Sequence, residues 1–240
     1  MKIIEYLSAK SRDNFGNRSP VIAFLGDSVT QGCFEIYRDG ALLRTVFDSA
    51  NGYAERTKRI LSMLYPETSV SMINAGINGG SAANGLLRLE RDVLSHDPDL
   101  VVVCFGLNDC NDETVEAADY AASLRGIFQK IHAVGKQVVF MTPNMMNTYV
   151  PHTVTDDFAK ELGEIFAERQ NNGYFDSFID AARAACREEN VPVCDCYRLW
   201  KSMNEQGVDT TALLSNGLNH PTREMHDLFA WELVKTILAN

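Results

Sequence analysis

Long apolar runs are missing from this 240-residue chain. No stretch approaches the roughly 18 apolar residues that would be needed to span a bilayer, so we expect no membrane insertion. Near the N-terminus, Glu5 falls where a signal peptide would have its apolar segment, and no small-residue cleavage pattern follows. We therefore expect a cytoplasmic protein.

Positive charge is scarce as well. The chain has 22 lysines and arginines against 32 aspartates and glutamates, which gives a net charge of −10. A surface of this sign repels phosphate backbones and anionic lipids rather than attracting them. We therefore expect no nucleic acid partner.

Patterns that would indicate a metal or a nucleotide cofactor are also lacking. The six cysteines are scattered, and Cys194 and Cys196 form a C-x-C without the second pair that a zinc site would need. The glycines of residues 76–80 match neither G-x-G-x-x-G nor a P-loop with its lysine. We expect neither a metal nor a cofactor.

What the chain does contain is an alternation of strand-length apolar runs with helical patterns. With 45% hydrophobic and 22% charged residues, it predicts one α/β domain over residues 1–240, with its core over about 20–238. The run 100–105 is apolar throughout, which is typical of a parallel strand buried on both faces. We predict about five parallel strands with helices on both faces. The predicted strands are 21–25, 70–75, 100–105, 137–141 and 191–196, and the predicted helices are about 52–65, 82–95, 114–134, 155–190 with a break at 171–173, and 222–238.

The residues that could take part in a reaction fall in four short blocks. Ser28 follows the first apolar run, in Gly-Asp-Ser-Val-Thr-Gln-Gly at 26–32. A serine on the turn that closes a buried strand is held at a cleft mouth, although such a serine is by itself more often a turn or cap residue. The other blocks are Asn-Ala-Gly-Ile-Asn-Gly-Gly-Ser at 74–81, Gly-Leu-Asn-Asp at 106–109 and Asn-His-Pro at 219–221.

In order and spacing, the four blocks resemble those of the SGNH hydrolases, also called the GDSL esterase and lipase family, over about residues 20–238. The resemblance implies a flavodoxin-like three-layer fold, with Ser28 as nucleophile and His220 as general base. It also implies an oxyanion hole formed by the backbone N–H groups of Ser28 and Gly79 and the side-chain amide of Asn108. Thr30 stands where a Gly-x-Ser-x-Gly elbow would have its second glycine, which disfavours the α/β-hydrolase fold.

The acid of the expected triad is where the chain departs from this family. Most members have an aspartate three residues before the histidine, where it orients the imidazole. Here that position is Gly217. Either Asn216 or a backbone carbonyl orients His220 in a Ser-His dyad, or a distant carboxylate such as Asp209 folds in.

Two aspartates lie beside the implied site residues. Asp27 precedes Ser28 and Asp109 follows Asn108, and a carboxylate pair could also indicate a glycosidase or a metal site. The resemblance instead implies that both are structural hydrogen-bond acceptors that tie loops together.

The expected activity is that of a serine esterase on small-molecule acyl esters. We expect a short-chain ester, specifically an O-acetyl carbohydrate, to be hydrolysed through an acyl-serine intermediate. A lysophospholipase or acyl-thioesterase of the same family is the alternative. The missing aspartate also leaves open a non-catalytic protein that binds acylated sugars, and the sequence indicates no oligomeric state.

Overall fold

The computed structural model describes residues 2–240. Seven strands are formed, of which five make one parallel sheet in the order β4-β1-β5-β6-β7 and two make a separate antiparallel hairpin. The strands are β1 (Val21–Gly26), β2 (Cys33–Asp39), β3 (Leu42–Phe47), β4 (Ser71–Gly76), β5 (Leu100–Cys104), β6 (Gln137–Met141) and β7 (Val193–Cys194).

Helices cover both faces of the sheet. Contacts between helices divide them into two groups, one containing α1, α3 and α10 and the other α4, α6, α7 and α8. The predicted three-layer α/β fold with a five-stranded parallel sheet is thereby confirmed. The helices are α1 (Lys2–Arg12), α2 (Ser28–Gln31), α3 (Tyr53–Leu64), α4 (Ala82–Asp92), α5 (Leu107–Asn111), α6 (Ala117–Ala133), α7 (Asp157–Asn171), α8 (Tyr174–Glu188), α9 (Cys196–Glu205) and α10 (Arg223–Ala239).

The position of a strand in the sheet explains how far it is buried. All five residues of β5 are buried, because this strand lies between β1 and β6 and is covered on both faces. Its apolar run without alternation reflects that position. No helix within residues 2–240 combines the length and apolar character needed to cross a bilayer.

The break predicted inside the long helical region is confirmed. Helix α7 ends at Asn171 and α8 begins at Tyr174. Between them, Gly173 adopts φ 82°, a left-handed conformation that residues with a Cβ rarely take. The turn reverses the chain so that α8 can pack against α6 and α7.

The fifth strand is shorter than predicted. Only Val193 and Cys194 pair with β6, whereas the prediction extended to Cys196. The reason is a helix start, because the Asp195 carboxylate accepts the backbone N–H of Arg198 and caps α9.

Besides the short helices α2 and α5, which follow β1 and β5, the prediction missed a hairpin and two longer helices. The β2–β3 hairpin turns at Gly40-Ala41, between the paired residues Asp39 and Leu42, and a glycine at the first turn position is a signal that the sequence did contain. The N-terminal helix α1 buries Ile3 and Leu7, so the packed core begins well before residue 20. Helix α9 follows β7 directly.

The glycines that end β1 and β4 let the short helix α2 lie across the sheet edge. Gly26 and Gly76 face each other in register. A Cβ on Gly76 would lie 2.3 Å from the backbone nitrogen of Gln31 and 2.7 Å from the carbonyl carbon of Thr30. These contacts are with backbone atoms, so a side chain cannot simply rotate away.

Replacing Gly76 by alanine should therefore destabilise the protein. We expect Gly76→Ala to lower the free energy of unfolding by about 1 to 3 kcal/mol, the range of overpacked positions, in urea denaturation followed by circular dichroism. Ser71→Ala, at the exposed start of the same strand, is the control and should change it little. An unchanged midpoint for Gly76→Ala would contradict the close packing.

Candidate active site

Ser28 is the first residue of α2 and follows directly from strand β1. Asp27 precedes it as the helix N-cap, and its carboxylate accepts the backbone N–H of Val29 at 2.9 Å. The serine lies at the carboxyl edge of the sheet, where β1 ends, and is only 4% exposed. Strand and cap together fix its position.

The imidazole of His220 lies against this hydroxyl, although 192 residues separate them in the chain. The distance from Nε2 to Ser28 Oγ is 3.0 Å, and Nδ1 lies 2.8 Å from the carbonyl oxygen of Phe34. A carbonyl can only accept, so Nδ1 carries the proton and donates it there. The lone pair of Nε2 is then free to accept the Ser28 hydroxyl, which is the arrangement that a serine nucleophile requires.

Neither of the side chains suggested as orienting groups contacts the ring. The Asn216 Oδ1 accepts the backbone N–H groups of Leu218, Asn219 and His220 at 3.0, 2.9 and 2.9 Å. Asn216 therefore shapes the loop that carries His220 and does not hydrogen-bond the imidazole. Asp209 instead accepts the Tyr149 hydroxyl at 2.6 Å. Of the alternatives left open by the sequence, the backbone carbonyl is the one that the geometry supports.

The position of the family's usual aspartate has no room for one. Gly217 adopts φ 69°, and a Cβ there would lie 2.8 Å from Pro151 Cγ and 2.9 Å from Val154 Cγ2. A side chain would meet both strain and close contacts. The Nδ1–H that an aspartate would accept is instead accepted by strand β2, through the Phe34 carbonyl.

Arg223, which the sequence analysis did not single out, holds the Phe34 segment in place. Its guanidinium donates to Asp48 at 2.7 Å and to Glu35 at 2.5 Å, and lies 4.3 Å above the centre of the Phe34 ring. These contacts lower the pKa of both carboxylates and raise that of the guanidinium. The cluster fixes the backbone beside the carbonyl that receives His220 Nδ1–H.

Burial lowers the pKa of His220 below its ordinary value, because the charged form is poorly solvated there. The Phe34 carbonyl and the Glu35 carboxylate act in the opposite direction. The imidazole is therefore neutral at neutral pH, the state in which it can accept a proton.

The loop after β4 brings Gly79 to the same edge of the sheet. It is tied to β1 by the bond from Ile77 N–H to Gly26 O at 3.1 Å and to α2 by the bond from Asn78 N–H to Gln31 Oε1 at 2.7 Å. Gly79 has φ 76°, and the space on its Cβ side is open, because a Cβ there would meet no atom within 4 Å. Within residues 2–240, the N–H groups of Ser28 and Gly79 donate to no protein acceptor.

Asn108 joins this loop from the opposite side. Its Nδ2 donates one hydrogen to Gly80 O at 2.8 Å, which leaves the second amide hydrogen free. The next residue, Asp109, accepts the N–H of Ala82 at 2.9 Å. Both residues thus link the loop after β5 to the loop after β4.

A second arginine that the sequence analysis missed supports the ends of two strands. Arg88 of α4 is buried and donates to Ala75 O at 2.6 Å and to Gly26 O at 2.8 Å. These carbonyls lie where the strand ladders of β4 and β1 end, and a buried carbonyl needs a donor. Ala82, Gly85 and Arg88 follow one another at intervals of three residues, and the first two are buried. This helical spacing is the signal that could have indicated an inward-facing arginine.

Two carboxyl groups are buried next to the site. Burial raises the pKa of Asp27 to about 7 and that of Asp109 to about 6. Each has one oxygen bonded to a backbone N–H and a second oxygen without a protein partner. Both act as acceptors that fix loops. Within residues 2–240, no three His, Cys, Asp or Glu side chains are grouped so that they could hold a metal ion.

Comparison with known proteins places this arrangement among ester hydrolases. The sequence profile of the GDSL-like lipase/acylhydrolase family matches residues 24–228. An acetylxylan esterase of Geobacillus stearothermophilus is 26% identical over 167 residues, which are 65% of this chain and 75% of the relative.

Solved structures share the fold. A lipase/acylhydrolase from Enterococcus faecalis superposes with a TM-score of 0.65 at 24% identity, covering 91% of this chain and 95% of the other. A variant of an acetyl xylan esterase from Geobacillus stearothermophilus gives a TM-score of 0.66 at 22% identity, covering 91% and 94%.

The buried Asp27 should make stability depend on pH. Its native pKa of about 7 exceeds the unfolded value of about 3.9, so the native state binds more protons between these values. Its contribution is therefore present at low pH and lost as pH rises through 7. From pH 5 to pH 8 the wild type should lose about 2 to 3 kcal/mol relative to Asp27→Asn, measured by urea unfolding at both pH values. A constant difference between the two proteins would contradict the burial of an ionisable group.

Proposed function

Because the chain belongs to the GDSL-like lipase/acylhydrolase family and is a hydrolase of ester bonds, we propose that it works through an acyl-enzyme formed on Ser28. The observation that carries this proposal is the 3.0 Å contact between Ser28 Oγ and His220 Nε2, with Nδ1 held by a carbonyl. A serine hydroxyl is a poor nucleophile unless such a base can take its proton.

In the proposed reaction, His220 Nε2 removes the Ser28 proton as Oγ attacks the ester carbonyl carbon. The carbonyl oxygen becomes an oxyanion and is met by the N–H groups of Ser28 and Gly79 and by the free amide hydrogen of Asn108. The tetrahedral species collapses when His220 returns the proton to the leaving alcohol oxygen. Water, deprotonated by the same nitrogen, then hydrolyses the acyl-serine and restores the hydroxyl.

The histidine works here without a carboxylate on its ring. The Phe34 carbonyl keeps the proton on Nδ1 and fixes the ring plane, which are two of the tasks of a triad aspartate. Charge is supplied from further away, because Glu35 and Asp48 share one arginine and leave the cluster with a net charge of −1. This cluster favours the imidazolium that forms during the reaction.

The proposed substrate is a short-chain ester, specifically an O-acetyl group on a carbohydrate. A relative that is an acetylxylan esterase and aligns with 65% of this chain supports this choice. The alcohol would be neutral and polar, and the acyl group small.

Removing either member of the Ser-His pair should abolish acyl transfer. We expect Ser28→Ala and His220→Ala each to lose nearly all hydrolysis of p-nitrophenyl acetate, and the double variant to be little worse than either, because the two act as one unit. An organophosphonate serine probe should label the wild type and not Ser28→Ala. Losses that multiply in the double variant would show that the residues act in separate steps, and no labelling of the wild type would favour an acylated-sugar binder.

A substrate panel tests the acyl and alcohol preference. We expect the highest kcat/KM on acetylated xylo-oligosaccharides, with p-nitrophenyl esters losing roughly tenfold or more as the acyl chain grows from acetyl to octanoyl. Ser28→Ala is the control for background hydrolysis. A preference for lysophospholipid or for acyl-thioester over every acetyl ester would assign the enzyme to one of those classes instead.

A further inference from the structure

A cavity of about 510 Å³ lies beside the histidine loop, outside the Ser28 site described above. Three segments enclose it: the hairpin, the loop leading into α7, and the loop before His220. Its volume falls within the range of small-molecule sites, about 300 to 1,000 Å³. The residues that shape it for the present argument are Glu35, Tyr37, Arg38, Thr153, Asp156 and Asn216.

The cavity is joined to the reacting histidine by its own walls. Glu35 follows Phe34, whose carbonyl holds His220 Nδ1 at 2.8 Å. On the opposite wall, Asn216 binds the N–H of His220 at 2.9 Å. The cavity therefore lies next to the residues that hold His220.

The position of the histidine determines which half of the substrate points this way. His220 must give its proton to the alcohol oxygen, so in the proposed mechanism the leaving alcohol lies next to the imidazole. In the proposed geometry, an alcohol larger than one small group extends past His220 toward the neighbouring residues that line the cavity. The acyl group is held at the other side, by the oxyanion donors.

The charges in the cavity walls are already paired. Arg38 donates to Asp156 at 2.7 Å across the cavity entrance, and Glu35 is bonded to Arg223. Each of these charged groups has a partner of opposite sign, and the net charge of −1 that the Arg223 cluster keeps disfavours an anionic ligand. A neutral ligand fits this balance best.

Hydrogen-bonding groups alternate with apolar surface along the lining. Thr153 and Ser215 have hydroxyl groups that can donate and accept, whereas Ile36 and Val154 are aliphatic. Tyr37 is 51% exposed and supplies an aromatic ring. A sugar ring has the matching surface, since its hydroxyls both donate and accept and its C–H groups can pack on an aromatic face.

We propose that this cavity is a subsite for the sugar residues of the leaving alcohol, with the acetyl group at Ser28. The inference rests on the proposed function and extends it to a place and a ligand class: a neutral oligosaccharide. An extended alcohol gains contacts in this cavity, whereas p-nitrophenol is too short to make them.

Two variants test the subsite without touching the groups that react. Tyr37→Ala removes the aromatic wall, and Thr153→Trp fills the space from the exposed loop. We expect each to lower kcat/KM for an acetylated xylo-oligosaccharide roughly tenfold, mainly through KM, and to leave p-nitrophenyl acetate within about twofold. Tyr6→Ala is the matched control, because Tyr6 is 44% exposed but lies near Asp99, at the opposite edge of the sheet.

The outcomes separate the subsite from the function on which it rests. If the wild type hydrolyses the oligosaccharide and both variants match it, the subsite is wrong and the proposed function stands. If both variants lose activity equally on the two substrates while circular dichroism shows a native fold, the cavity acts through the histidine and the subsite is again wrong. If the wild type hydrolyses p-nitrophenyl acetate but no acetylated sugar, the carbohydrate assignment and the subsite both fail.

Discussion

The hydrogen bond from His220 Nδ1 to the Phe34 carbonyl is the contact on which the rest of the site depends. It decides the tautomer of the ring, and the tautomer decides whether Nε2 can accept the Ser28 hydroxyl at 3.0 Å. A backbone carbonyl can do this only if its own strand cannot shift. The ion-pair cluster around Arg223 meets that need, because it ties the start of α10 to Glu35 in β2 and to Asp48 directly after β3.

The same requirement for fixed backbone appears at the carboxyl edge of the sheet. Ser28, Gly79 and Asn108 belong to three different segments, which are α2, the loop after β4 and α5, and this loop is bonded to both short helices. Gly26 and Gly76 allow α2 to cross the strand ends, and Arg88 donates to the carbonyls of Ala75 and Gly26 at the ends of these strands. Preorganised donors are useful in catalysis because they need no rearrangement as charge develops.

The sequence predicted the parts of the molecule that depend on local pattern. The parallel sheet followed from apolar runs separated by helical periods, and Ser28 and His220 followed from blocks whose order resembles a known family. The orienting group could not be found this way, because it is a main-chain oxygen and any residue type could supply it. Asn216 was the nearest polar side chain in sequence, but its bonds go to the N–H groups of its own turn. The hairpin did carry a turn signal in Gly40, and the short β7 was overpredicted because its apolar run continues into a helix.

The hairpin has two tasks. One of its strands supplies the carbonyl beneath the histidine, and the next residues of the same strand form a wall of the adjoining cavity. The two tasks meet at Glu35, which lines the cavity and also belongs to the ion-pair cluster that holds the Phe34 segment, so a change there risks shifting the base by a fraction of an ångström. Selection acting on this residue cannot adjust substrate range and turnover independently, so new specificities in related chains should arise more readily from positions farther along the strand, such as Tyr37, and from the loop that leads into α7.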